Sequence, residues 1–167
     1  MNCPGCGAAM RFDDVKACLA CDFCGNIQVL EPDADGVAML GTTSPLKCPM
    51  CKTPLAEAAV HGRQLLCCPR CRGLLVGMDA FFGLIHTLRA ERTEAPEPPH
   101  RFDPKDLDRA FQCPQCGARM DTHLYAGPGN VAITTCEFCH LDWLDHGALR
   151  HVVAAPDYAR GDGEFMA

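Results

Sequence analysis

Six Cys-x-x-Cys pairs dominate this chain: Cys3/Cys6, Cys21/Cys24, Cys48/Cys51, Cys68/Cys71, Cys113/Cys116 and Cys136/Cys139. They group two by two, with 14, 16 and 19 residues between the pairs of each group. The sequence therefore reads as three copies of one repeat: Cys-x-x-Cys, spacer, Cys-x-x-Cys. Two thiolates three residues apart on a tight turn grip one face of a tetrahedral ion. A second such turn, delivered by a hairpin, completes four sulfur ligands. The turn residues agree. Pro4, Pro49, Pro69 and Pro114 follow a first cysteine and fix φ there. Gly7, Gly25 and Gly117 follow a second cysteine, where a positive φ is often wanted. These twelve cysteines are the expected ligands of three zinc ions. Iron is the alternative occupant, because rubredoxin-like sites also use paired Cys-x-x-Cys turns.

Composition supports small stapled units over one conventional core. Fourteen of 167 residues are cysteine and 48% are apolar. Without the cysteines the apolar share falls to roughly 40%, thin for a single core of this size. Apolar runs fall well short of the ~20 residues that span a bilayer. Met1-Asn2-Cys3-Pro4 opens a cysteine motif with neither a basic region nor an apolar stretch before it. A reducing, cytoplasmic compartment is expected, and there thiols bind metal more often than they pair as disulfides. Aromatics at 7% argue against a stacking platform for single-stranded nucleic acid.

The third repeat continues as Cys136-Glu137-Phe138-Cys139-His140-Leu141-Asp142-Trp143-Leu144-Asp145-His146-Gly147-Ala148-Leu149. The second continues as Cys68-Pro69-Arg70-Cys71-Arg72-Gly73-Leu74-Leu75-Val76-Gly77. With its Trp-Leu-Asp and Gly-x-Leu positions, the third repeat resembles bacterial zinc-ribbon proteins whose domain looks like the transcription-factor-IIB-type zinc ribbon. The family's usual Gly is Leu141 here, and its usual Glu is Ala148. The second repeat keeps the Gly and lacks the Trp and Asp. The resemblance covers roughly residues 48–90 and 113–153. It implies a fold, three tandem zinc ribbons, and little about activity.

The expected architecture is a small metal-stabilised α+β protein of three tandem four-cysteine ribbons, the second and third each followed by a helix. Ribbon one occupies 1–30, with short strands over Ala8–Phe12, Val15–Ala20 and Ile27–Leu30. Residues 31–46 read as a linker. Ribbon two and its helix occupy 47–92. The helix spans Met78–Arg92, with Asp79 as N-cap and an apolar face of Phe81, Leu84, Ile85 and Leu88. A Pro-rich linker covers 93–101. Residues 102–155 hold a short helix from Pro104, with Asp103 as its N-cap, then ribbon three and a final helix over Asp145–Ala154. The tail, 156–167, reads as flexible. A ribbon of this size cannot offset its own ordering entropy. A structural zinc contributes on the order of 10–16 kcal/mol and decides folding.

Charge weighs against a phosphate backbone. The net charge is −6. Twelve thiolates with three divalent ions take it near −12. Residues 46–92 alone are basic, with seven Lys/Arg against three Asp/Glu. Arg70 and Arg72 are therefore the candidate nucleic-acid contacts. Phe81, Leu84, Leu88 and Trp143 are the candidate partner surface, unless they pack on their own or another ribbon. Cys18 and Cys67 fall outside the sets. They read as small buried hydrophobes or as a redox zinc switch. His140, His146 and His151 read as surface histidines or as groups steadying the third site, since four cysteines leave no open coordination position. Phosphate loops, dinucleotide fingerprints and nucleophile elbows are absent from the sequence. The expected function is non-catalytic: a protein–protein adaptor or accessory subunit. Nucleic-acid binding through the middle ribbon is the first alternative, and redox or zinc sensing the second.

Overall fold

The computed structural model describes residues 1–99 and 101–157. In chain order the elements are β1 (Arg11–Asp13), β2 (Cys18–Ala20), β3 (Ile27–Val29), β4 (Val37–Lys47), β5 (Pro54–Val60), β6 (Arg63–Cys67) and β7 (Leu74–Gly77). There follow α1 (Met78–Glu91), a 3-10 helix (Pro104–Asp108), β8 (Asp121–Leu124), β9 (Ala132–Cys136), β10 (Leu141–Leu144) and α2 (Ala148–Ala154). Cysteine turns join β2 to β3, β4 to β5, β6 to β7 and β9 to β10, so the strands beside them are mostly short. The result is a small α+β protein with two antiparallel sheets. One is β1-β2-β3; the other runs β4-β5-β6-β7-β10-β9-β8.

The large sheet joins the second and third cysteine repeats. Its seam is the β7–β10 pair, which sets Leu74 opposite Leu144, Leu75 opposite Trp143, and Val76 opposite Asp142. Period-two alternation then sorts the side chains onto two faces. Leu74, Val76, Leu144, Ile133, Leu65 and Val60 point to one face, where Phe81, Leu84 and Ile85 of α1 and Leu149 and Val152 of α2 cover them. Leu55, Leu75 and Trp143 point to the other, where they pack with Met120 and with Cys48, Cys68, Cys113 and Cys136. A third cluster, Leu19 with Leu40 and Ala59, seats the small sheet on β4 and β5.

Several expectations need correction. Most of the segment read as a linker, 31–46, is structured. Residues 37–47 form β4, paired with β5 and irregular in register between Met39 and Lys47, with Gly41 at φ 78°. Ahead of it, Asp33 Oδ1 accepts the backbone N–H groups of Asp35 (3.0 Å) and Val37 (2.9 Å), which fixes the turn. Asp79 is not the N-cap of α1. Gly77 holds that position with no side-chain cap, and the N–H of Met78 is satisfied by the carbonyl of His140 at 3.0 Å. The third repeat thus caps the helix of the second. At the other end, Arg89 and Arg92 donate to the carbonyls of Val152, Val153 and Ala155, supplying the partners that the C-terminus of α2 lacks. The final helix starts at Ala148 rather than Asp145, because Gly147 takes the left-handed conformation (φ 77°). Of the expected flexible tail, 158–167 lies outside the described residues.

The candidate partner surface is also corrected. Phe81, Leu84 and Trp143 are each 1% exposed, and Leu88 is half-buried against the same core. The third repeat extends the sheet of the second, so α1 has a floor to lie on. Burying a side chain such as Phe81 there contributes about 1.5–3 kcal/mol. No helix among the described residues is long and apolar enough to cross a membrane.

Candidate metal centres

Around every first cysteine the backbone makes the same turn. In five of the six, the carbonyl of the first cysteine accepts the N–H four residues on, and its own N–H reaches the carbonyl five residues on. Cys3 does this with Gly7 (2.9 Å) and Ala8 (2.7 Å), and Cys48 with Lys52 (2.9 Å) and Thr53 (2.8 Å). Cys136 occupies the same place by pairing with Leu141 across β9 and β10. The residue after the second cysteine must take positive φ. Gly7, Gly25 and Gly117 do so freely, whereas Lys52, Arg72 and His140 do so at φ 61°, 63° and 53°. That the turn imposes this conformation even on non-glycine residues shows how closely its geometry is set.

These turns bring four sulfurs together in each repeat: Cys3, Cys6, Cys21 and Cys24; Cys48, Cys51, Cys68 and Cys71; Cys113, Cys116, Cys136 and Cys139. Within each set the Sγ atoms lie within 4.8 Å of one another. The closest approaches are 3.4 Å for Cys6–Cys21, 3.5 Å for Cys3–Cys24, and 3.7 Å for both Cys48–Cys71 and Cys116–Cys136. A tetrahedral ion with metal–sulfur bonds of 2.3 Å holds its sulfurs about 3.8 Å apart, so the spacing fits four-thiolate coordination. In every pair the first cysteine is buried and the second is more open.

Backbone amides prepare these sulfurs for negative charge. The N–H of Gly5 donates to Cys3 Sγ (3.4 Å), and that of Cys51 to Cys48 Sγ (3.2 Å). Cys3 is held down at about 6, chiefly by the Gly5 amide, and Cys116 at about 7, chiefly by the Ala118 amide. Cys6, Cys24 and Cys136 move the other way. Cys139 is pushed up to about 12, first by its interaction with Cys116. Four thiolates so close together need a cation to be stable together.

The three sites are not equally placed. The second and third line one apolar cluster, with Trp143, Leu75 and Met120 between their buried cysteines. The first stands apart on the small sheet, tied to the rest through Leu19, Leu40 and Ala59. Ion pairs fasten the connection between them. Arg72 pairs with Asp33, and Asp35 faces both His146 Nε2 (2.7 Å) and Arg150 Nε (3.4 Å).

Of the other residues singled out from the sequence, Arg70 is exposed, whereas Arg72 is engaged by Asp33 and is not a free cation. Cys18 and Cys67 are 4% and 0% exposed, and neither joins a cluster. Cys67 is pushed up to about 11 by burial and by Cys68. One buried carboxylate escaped the sequence reading. Asp142 is 2% exposed and lies on the helix face of β10. The signal available was its place one strand period before Leu144, between Leu141 and Trp143, which puts an acid at an inward position.

Fold and sites together define a small α+β protein with three four-cysteine clusters that can each hold a metal ion, zinc being consistent with the donor set. The chain matches no protein-family model, no curated protein and no solved structure.

Proposed function

We propose that the protein is a set of three structural zinc ribbons that works as a non-catalytic adaptor or accessory subunit in protein–protein interaction. The observation that carries this is the closed character of the sites. Among the described residues each offers four cysteine sulfurs and nothing else, which suits an ion that folds a protein rather than one that holds a substrate.

The apolar groups left on the surface support a binding role. The α1 face is used internally, so a partner would meet the turn tips. Phe23 (83% exposed) and Phe138 (82%) occupy the same position in the second cysteine turn of their repeats, and Val15 and Val29 are also open. Exposed aromatics at the tips of rigid turns are suited to anchor a partner. Arg72, being engaged by Asp33, removes one of the two cations on which nucleic-acid binding would rest.

Retention of a partner by immobilised wild-type protein, and its loss from a Phe23→Ser/Phe138→Ser double variant that keeps its metal, is the expected result. Salt-dependent binding of single- or double-stranded nucleic acid near physiological ionic strength, weakened by Arg70→Ala, would replace this reading with the nucleic-acid one.

A further inference from the structure

A cavity of about 480 Å³ opens on the helix face of the sheet. Met78, Phe81 and Phe82 at the start of α1 form one wall, Ile133 and Thr135 of β9 the floor, and Tyr125 and Gly127 beyond β8 the far side. Its size falls within the range of small-ligand sites. The wall is closely built. The Phe81 and Tyr125 rings lie 5.5 Å apart, tilted by 60°, and a Cβ on Gly127 would sit 2.2 Å from Tyr125 Cε1.

One buried carboxylate reaches into this space. Asp142 is 2% exposed, and its Oδ1 accepts the Thr135 hydroxyl at 2.6 Å. Its Oδ2 has no hydrogen-bond partner among the described residues, yet is not sealed from solvent, so it opens on the cavity that Asp142 lines. Water that reaches Oδ2 through the cavity can be displaced by a ligand that brings both a donor and a positive charge to the carboxylate. Glu137 adds a second acid to the lining. His123 is the one basic group there, and its closest carboxylate is that of Asp121 at 3.7 Å.

We propose that this cavity binds a primary ammonium carried on an apolar stem, either the side chain of a lysine or a free alkylamine. With Oδ1 held by Thr135, only one oxygen is offered. That suits the point charge of an ammonium and not the two-pronged fork of a guanidinium. The phenyl and phenol rings add cation–π attraction and cover the stem. The site is separate from the adaptor reading; Thr135 and Glu137 flank Cys136, so the chain is tested with its metal in place.

The test is an NMR titration of the full-length, metal-loaded chain with n-butylamine, with Nα-acetyl-lysine N-methylamide, and with n-butanol as the uncharged analogue. Both ammonium probes are expected to shift Ile133, Tyr125 and Phe82, and n-butanol to bind at least about tenfold more weakly. Asp142→Asn is expected to weaken the ammonium probes by about tenfold or more. Tighter binding of the blocked lysine assigns a partner's side chain, and tighter binding of butylamine assigns a free amine. Equal binding of n-butanol, unchanged affinity in Asp142→Asn, or no shifts around the cavity would overturn the proposal. Should Asp142→Asn fail to fold, Phe82→Ser decides. Phe82 is 57% exposed, so its loss leaves the core intact. A drop of about threefold in ammonium affinity is expected, and no drop would contradict the site.

Discussion

Gly73 lies directly against the indole of Trp143: a Cβ built on Gly73 would stand 2.2 Å from Cζ2 and 2.7 Å from Cη2. The two residues belong to different cysteine repeats, and their contact lets β7 and β10 meet as neighbours in one sheet. Any side chain at position 73 would push the ring off the seam. Gly73→Ala is expected to destabilise the protein by about 1–3 kcal/mol, the usual cost of overpacking. Trp143 is the only tryptophan, so its fluorescence follows the seam during urea unfolding. A lower midpoint with a red-shifted native spectrum is expected, and an unchanged midpoint would show that the seam relaxes freely.

The second and third clusters share one core, so ions bound in them are expected to depend on each other. Cys68→Ser should remove the second ion and also loosen the third, because Trp143, Leu75 and Met120 lose one wall of their packing. Cys3→Ser should cost only the first ion, whose cluster rests on a separate patch. Native mass spectrometry during a chelator titration reads both. Loss of the third ion at the same chelator concentration in Cys68→Ser as in wild type would refute the coupling.

Burial raises the pKa of Asp142 above its ordinary 3.8, with the Thr135 hydrogen bond opposing. A carboxyl whose folded pKa exceeds its unfolded one costs no stability below the unfolded pKa. It costs progressively more as pH rises through the folded value. Asp142→Asn removes that cost. Relative to wild type, the variant's urea midpoint is expected to rise as the pH increases above about 4. A wild type that gains on the variant over this window would mean the ionised carboxylate is stabilised in place.

Cys18 and Cys67 are inaccessible rather than reactive. Both are buried, and the raised pKa of Cys67 keeps it a thiol. In the folded, metal-loaded protein neither is expected to take up iodoacetamide, while both react after unfolding. Native labelling of either, read by peptide mapping, would restore a sensor role.

The four-cysteine clusters were legible because Cys-x-x-Cys is a local device: its spacing, prolines and glycines already describe the turn. What joins the repeats was not local. The pairing of Leu75 with Trp143 links residues far apart in sequence, and nothing near either one announces it. For that reason Phe81 and Leu84 read as an uncovered stripe, when the added strands supply their floor. Strand β4 was hidden by Gly41 and Pro45, within a stretch that reads as a linker. Tertiary pairing with β5 absorbs them as irregularities in register.

The central claim is that each four-cysteine cluster is a closed zinc site. Elemental analysis of the purified chain, combined with X-ray absorption at the zinc edge, tests it most directly. The account predicts three zinc ions per chain, each with four sulfur neighbours at about 2.3 Å. Fewer than three ions, iron in place of zinc, or nitrogen or oxygen among the nearest neighbours would contradict it.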